Sequence, residues 1–278
     1  IFLNAIMDRI YWSTGQFVLG MFKGAAVVAV YAVAIQLQAI YMGFSTAISG
    51  VFLPKVTAMV TKENNEKAIS DLFIRTGRIQ YIIIAFILTG FVVFGKSFIR
   101  LWAGSDYEDA YGITLCFFIP MTVPLIQNLG IIILQARNQM KFRSTLYVVI
   151  AFVSLVISIP LSKQYGGIGC AISIALALTT GQIIVMNIYY HRVIHIDILD
   201  FWKEIGKMSL VPFAIGSLSF YLFCIYEIHT VQIFIVCIFA FSCIYVPLFW
   251  FFGMNAYEKE LFVSPVRRFV GRLQKNLQ

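Results

Sequence analysis

The sequence predicts an all-α polytopic membrane protein of about eight transmembrane helices, on three observations. Of 278 residues, 60% are hydrophobic and 12% charged, where soluble domains run at about 45–50% and about 25%. The apolar residues fall into runs long enough to cross a bilayer, about 20 residues each. Lysine and arginine alternate in density from one connection to the next. Hydrocarbon offers backbone groups no water, so the runs must be helices.

The runs lie at about 1–22, 27–60, 79–101, 109–136, 144–162, 167–190, 207–226 and 231–252. The second is longer than one crossing needs, so it projects from the bilayer or bends near Gly50 or Pro54. One set of connections holds Lys62, Lys67, Arg75 and Arg78, then Arg137, Lys141 and Arg143, then Arg192, Lys203 and Lys207. The tail adds Lys259, Arg267, Arg268, Arg272 and Lys275. The opposite connections hold Lys23, Lys96, Arg100 and Lys163. Fifteen basic residues against four, alternating loop by loop, predict a first helix entering from the cytoplasm and a cytoplasmic C-terminus. The outward connections, Lys23–Ala26, Gly104–Glu108, Lys163–Gly166 and Glu227–Thr230, are too short to fold as domains.

The net charge of +8 does not indicate nucleic acid, because the basic residues sit between apolar runs and form no surface stripe. The five cysteines lie in or beside apolar runs without metal-ligand spacing and read as small packing residues. No P-loop, GxSxG or HExxH occurs. Asp197 and Asp200 stand in DILD and form no DxD, and His191, His195 and His229 lie in loops without a ligand partner. Neither enzyme chemistry nor a metal or cofactor is expected. The chain opens Ile1-Phe2-Leu3 with no basic n-region, which predicts the back portion of a longer polypeptide and no signal peptide.

Polar side chains within apolar runs are the functional candidates, because a charge near the bilayer centre usually faces protein or water. On the first helix Arg9, Ser13 and Gln16 share a face, while Asp8 is turned about 100° away beside Trp12. Either the stripe lines a cavity with Arg9 holding an anionic group, or Asp8 and Arg9 snorkel or pair near the cytoplasmic end. The second helix carries Gln36 and Gln38, then Ser45 and Ser49. Gln38, Ser45 and Ser49 share a face, as a continued stripe or as hydrogen-bond glue between helices. Lys55 follows Pro54 and is placed in a cytoplasmic vestibule. Arg78 reads as a positive-inside anchor, with phosphate contact as the alternative. In the fourth helix Pro120 and Pro124 stand one turn apart, before Gln127 and Asn128. They predict a discontinuous helix that opens backbone groups to a cavity and can hinge, or else a static kink. Gly169, Ser173 and Ala177 make a close-packing face in the sixth, with Gln182 and Asn187 following near its cytoplasmic end.

Several stretches carry a resemblance: DRIYWSTGQFVLGMF, AISGVFLPKVT, FGKSFIRLWAGSDYEDAY, PLIQNLGIIILQARNQMKFRS, YGGIGCAISIALALTTGQIIVMNIYYHR and FWKEI. In this order they resemble the C-terminal half of bacterial polysaccharide exporters of the O-antigen flippase type, within the multidrug/oligosaccharidyl-lipid/polysaccharide exporter superfamily. The likeness runs from Ile1 to about Lys207.

The resemblance implies half of a two-lobe exporter fold, with a cavity between six-helix lobes. Residues 1–190 would be the second lobe, 191–252 a cytoplasmic connection and two additional transmembrane helices, and 253–278 a basic cytoplasmic tail. It implies a multi-pass protein of the bacterial inner membrane that flips undecaprenyl-pyrophosphate-linked oligosaccharide by alternating access, for O-antigen, capsule or exopolysaccharide. Asp8, Arg9, Ser13, Gln16, Gln36, Gln38, Ser45, Lys55, Gln127 and Asn128 are then the cavity candidates, and Pro120 and Pro124 the hinge. The implied partners are that lipid-linked oligosaccharide, the bilayer, a coupling ion (H+ or Na+) and polysaccharide polymerisation machinery. Two other readings compete. A multidrug antiporter of the same superfamily favours a carboxylate-rich cavity. A polytopic membrane enzyme of polysaccharide synthesis, a polymerase or acyltransferase, needs a large outer loop or clustered catalytic acids and histidines.

Overall fold

A computed structural model describes residues 2–62, 66–225, 228 and 230–264, with the backbone alone at 2–11, 53, 55, 60–62 and 223–225. The described residues are helical almost throughout and contain no strand. In order they form α1 (Phe2–Phe22), α2 (Ala25–Lys62), α3 (Glu66–Trp102), a 3-10 turn (Ser105–Tyr107), α4 (Ala110–Ile126), α5 (Leu129–Ala136) and α6 (Met140–Ala177). A π-helical stretch (Leu178–Val185) leads into α7 (Met186–Arg192), followed by α8 (Ile198–Ile225) and α9 (Val231–Phe252). Residues 256–264 form a last helical stretch.

The all-α membrane class holds, while the count of crossings needs qualification. By length and apolarity five helical segments can cross a membrane, or six if α4 and α5 form one broken span. One of the five, Met140–Arg192, doubles back on itself. Gly166 takes φ 61, ψ −134 inside α6, a left-handed conformation that disfavours any side chain. Beyond this turn Gly169 packs so tightly that a Cβ would collide with the Leu161 carbonyl. Two antiparallel arms result, matching the separate runs expected at 144–162 and 167–190. α1 adds one more rod against this hairpin.

Two helices begin well before their apolar runs, α3 at Glu66 and α8 at Ile198. Both extensions are amphipathic. Ile69, Leu72, Phe73 and Thr76 are buried along α3, and Ile198, Phe201, Ile205 and Met208 along α8. That is one face of a 3.6-residue period, which a search for unbroken apolar runs passes over. α3 is the hub of the bundle, packing on α2, α4, α8 and α9. Within the five apolar segments only 17–33% of the window residues are buried in the protein. The rest present side chains such as Phe213, Phe251 and Phe252 outward, as a surface against lipid requires.

Candidate functional site

The cavity is built around a break in a helix. α4 stays helical through both Pro120 and Pro124, and the chain then turns by 47° into α5. The break falls at Gln127–Asn128, just beyond the prolines. A helix can stop only where its last carbonyls find other donors, and they do so here. Ser45 Oγ donates to the Leu125 carbonyl at 2.6 Å. With its amide nitrogen toward α4, Gln80 donates to the Leu125 and Ile126 carbonyls at 3.2 and 2.9 Å, and its oxygen lies against the Ser49 and Ser45 hydroxyls. Gly77 lets α3 come this close, since a Cβ there would stand 2.8 Å from the Ile126 oxygen.

The turn residues are held from the other side. Gln127 is 2% exposed, and its Nε2 donates to Asn187 Oδ1 at 2.8 Å. Asn187 Nδ2 donates to the Ile183 carbonyl at 2.6 Å, and Trp202 Nε1 donates to Asn187 Oδ1 at 3.0 Å. This network ties the break to the end of the hairpin and to α8.

Beside the break lies a cavity of about 350 Å³. Its wall includes Trp12 of α1, Met42 and Thr46 of α2, Met121 and Pro124 of α4, Asn128, and Ile131 and Gln135 of α5. Met140, Arg143 and Tyr147 of α6 with Leu178 and Gln182 of the π-helical stretch complete it. Arg143 Cζ stands 5.7 Å from the centre of the Tyr147 ring, a cation–π contact that leaves the guanidinium donors free to bind. None of the lining side chains named carries a carboxylate. A half-exposed cation, three side-chain amides and two aromatic rings can hold an anion and hydroxyl groups together.

The sequence candidates divide. The side chains of Asp8, Arg9 and Lys55 lie outside the described residues. Ser13 and Gln36 are exposed and Gln16 half-buried. Gln38, 2% exposed, donates to Met121 Sδ at 3.4 Å. Gln38, Ser45, Ser49 and Gln127 thus have their partners inside the helix packing. Asn128 and Pro124 line the cavity. Trp12, Gln135, Arg143, Tyr147 and Gln182 were not among the candidates. By sequence Arg143 reads as a loop charge, yet Met140, Arg143 and Tyr147 recur at helical spacing on one face.

Arg78 is more than a positive-inside anchor, since its side chain is buried in an ion-pair cluster. It is 5% exposed, with Nε 2.6 Å from Glu258 Oε1 and Nη1 2.7 Å from Glu204 Oε2. Lys207 Nζ, 2.6 Å from Glu204 Oε1, offsets the second carboxylate. Glu258 also exchanges hydrogen bonds with Asn255, each backbone N–H donating to the other's side chain at 2.9 Å. This capping box starts the 256–264 helix. The described part of the tail is therefore docked on the bundle.

These features define a multi-pass all-α membrane protein with a cationic, amide-rich and aromatic cavity beside a broken helix. Over residues 1–112 the chain matches the family described as polysaccharide biosynthesis protein. It is 22% identical over 174 residues to the probable flippase AglR of Haloferax volcanii. That alignment covers 61% of this chain and 36% of the relative, so the chain spans about a third of the relative's length. No solved structure matches. Both similarities are partial, the first confined to residues 1–112 and the second to 174 residues.

Proposed function

We propose that this chain belongs to a transporter, not an enzyme, and that the complete protein flips undecaprenyl-pyrophosphate-linked oligosaccharide across the bacterial inner membrane. The observation that carries this reading is the cavity beside the α4–α5 break. Arg143 suits a pyrophosphate, as a planar cation with several donors. Asn128, Gln135 and Gln182 suit sugar hydroxyls, and Trp12 and Tyr147 offer flat apolar faces to a sugar ring. The lipid tail stays in the bilayer, where its transfer costs nothing. Ser13 and Gln16 of α1 and Gln36 of α2 remain candidates for substrate contact, as do Asp8, Arg9 and Lys55 by residue type alone.

Alternating access then works by rocking this lobe against a second one, with Pro120 and Pro124 as the hinge, driven by a H+ or Na+ gradient. The basic connections lie on the cytoplasmic side. A multidrug antiporter of cationic compounds fits less well, because the described cavity wall offers a guanidinium and no carboxylate. The test is Arg143→Ala in the complete protein. It lowers surface polysaccharide and leaves lipid-linked oligosaccharide accumulated, at unchanged protein level. Normal polymer with no accumulated precursor contradicts the reading.

A further inference from the structure

Four glutamine side chains are buried among the described residues: Gln38, Gln80, Gln127 and Gln182. The first three have partners on neighbouring helices. Gln182 does not. It is 6% exposed, its Nε2 is buried without a partner, and it lines the cavity. Buried polar groups are nearly always hydrogen-bonded, so an orphaned amide in a cavity wall calls for an explanation.

Its setting is unusual as well. Gln182 sits in the π-helical stretch Leu178–Val185, a rare conformation that recurs at functional sites. The neighbouring Gly181 is packed on Ile150, whose Cδ1 would stand 2.7 Å from a Cβ at that position. The first arm of α6 therefore packs closely on the π-helical stretch beside Gln182.

The chemistry of the amide selects among ligands. An amide presents a donor and an acceptor side by side. Neighbouring hydroxyls on a pyranose present the same pair, whereas a phosphate presents acceptors alone. Arg143 is the group that serves an anion. Trp12 and Tyr147 line the same cavity and can cover the C–H face of a ring. We infer that Gln182 is a saccharide-specificity residue, hydrogen-bonding hydroxyls of the oligosaccharide and not the pyrophosphate. This rests on the flippase reading and assigns it a sugar subsite.

The test uses the complete protein in lipid nanodiscs and two probes: undecaprenyl pyrophosphate carrying the host's own oligosaccharide unit, and the sugar-free lipid. Gln182→Met keeps the length and removes both hydrogen-bonding ends. Affinity for the sugar-bearing lipid falls about tenfold, the scale of a lost hydrogen bond or two, and affinity for the sugar-free lipid is unchanged. The ligand-free variant melts at a higher temperature than the parent, because an unpaired buried group has gone. A merely structural glutamine gives the opposite shift. If the variant fails to fold, Gln182→Asn keeps the amide, shortens its reach and carries the same comparison. Equal affinities of variant and parent for both lipids overturn the sugar assignment alone. Parallel loss of both affinities with a lower melting temperature overturns it too. A parent protein that binds neither lipid overturns the flippase reading itself.

Discussion

Arg78 Nε stands 2.6 Å from Glu258 Oε1, across 180 residues of chain. The pair joins the basic end of α3 to the helix that follows α9, and through Glu204 it reaches α8 as well. One buried guanidinium thus locks three separate parts of the chain at the same end of the bundle.

Arg78→Ala leaves Glu258 buried, 1% exposed, and without its partner. Removing one member of a buried pair costs about 3–5 kcal/mol. Thermal unfolding in detergent shows the loss as a lower midpoint, and limited proteolysis shows earlier cutting after α9. Arg78→Met combined with Glu258→Leu recovers part of it, because the orphaned charge is gone.

Gly77 is constrained by space. Its Cβ would meet the Ile126 carbonyl at 2.8 Å and the ring of Phe201 more closely still. Gly77→Ala therefore destabilises by about 1–3 kcal/mol. At Gly43 nothing lies within 4 Å, so Gly43→Ala is neutral or stabilising. Melting curves of the two variants are the check.

The α4–α5 break is held by the donors that satisfy its carbonyls. Gln80→Leu strands the Ile126 carbonyl and costs about 1–3 kcal/mol, whereas Pro124→Ala leaves the 47° turn in place. Spin labels at Ile119 and Gln135, both exposed, report the angle as a distance. It is unchanged in Pro124→Ala and altered in Gln80→Leu.

Between α3 and α4, Glu108 pairs with Arg100 and, at 3.5 Å, with Lys96. Hydrogen bonding to Arg100 holds its carboxyl below the usual carboxylate range against a smaller opposing push from burial. A depressed folded-state pKa stabilises above the unfolded value, and the benefit is lost as pH falls through the folded one. Hydrogen exchange at residues 104–108 thus speeds up on acidification below the ordinary range, and Glu108→Gln removes that dependence.

The helical class and the positions of most rods were legible because apolar length alone decides them in a bilayer. The hairpin was visible in the gap between two runs, and Gly166 supplies the turn. The starts of α3 and α8 were not, since their amphipathic first turns bury only one face. Two prolines pointed to a break but not to its position, which depends on Ser45 and Gln80 reaching across from other helices. Gln38 and Ser45 share a face with Ser49, as the periodicity says, and that face meets α4. Arg143 and Gln182 were hidden for a different reason. A basic residue near a loop and an amide near a helix end look ordinary until tertiary packing brings both onto one cavity.

The most direct test of this cavity as a substrate site is thiol protection at position 128. Asn128→Cys is made in a cysteine-free version of the complete protein and treated with a membrane-impermeant thiol reagent applied from the cytoplasmic side. The account predicts labelling that is suppressed by undecaprenyl pyrophosphate carrying the host's oligosaccharide. Labelling that the lipid-linked sugar leaves untouched contradicts it.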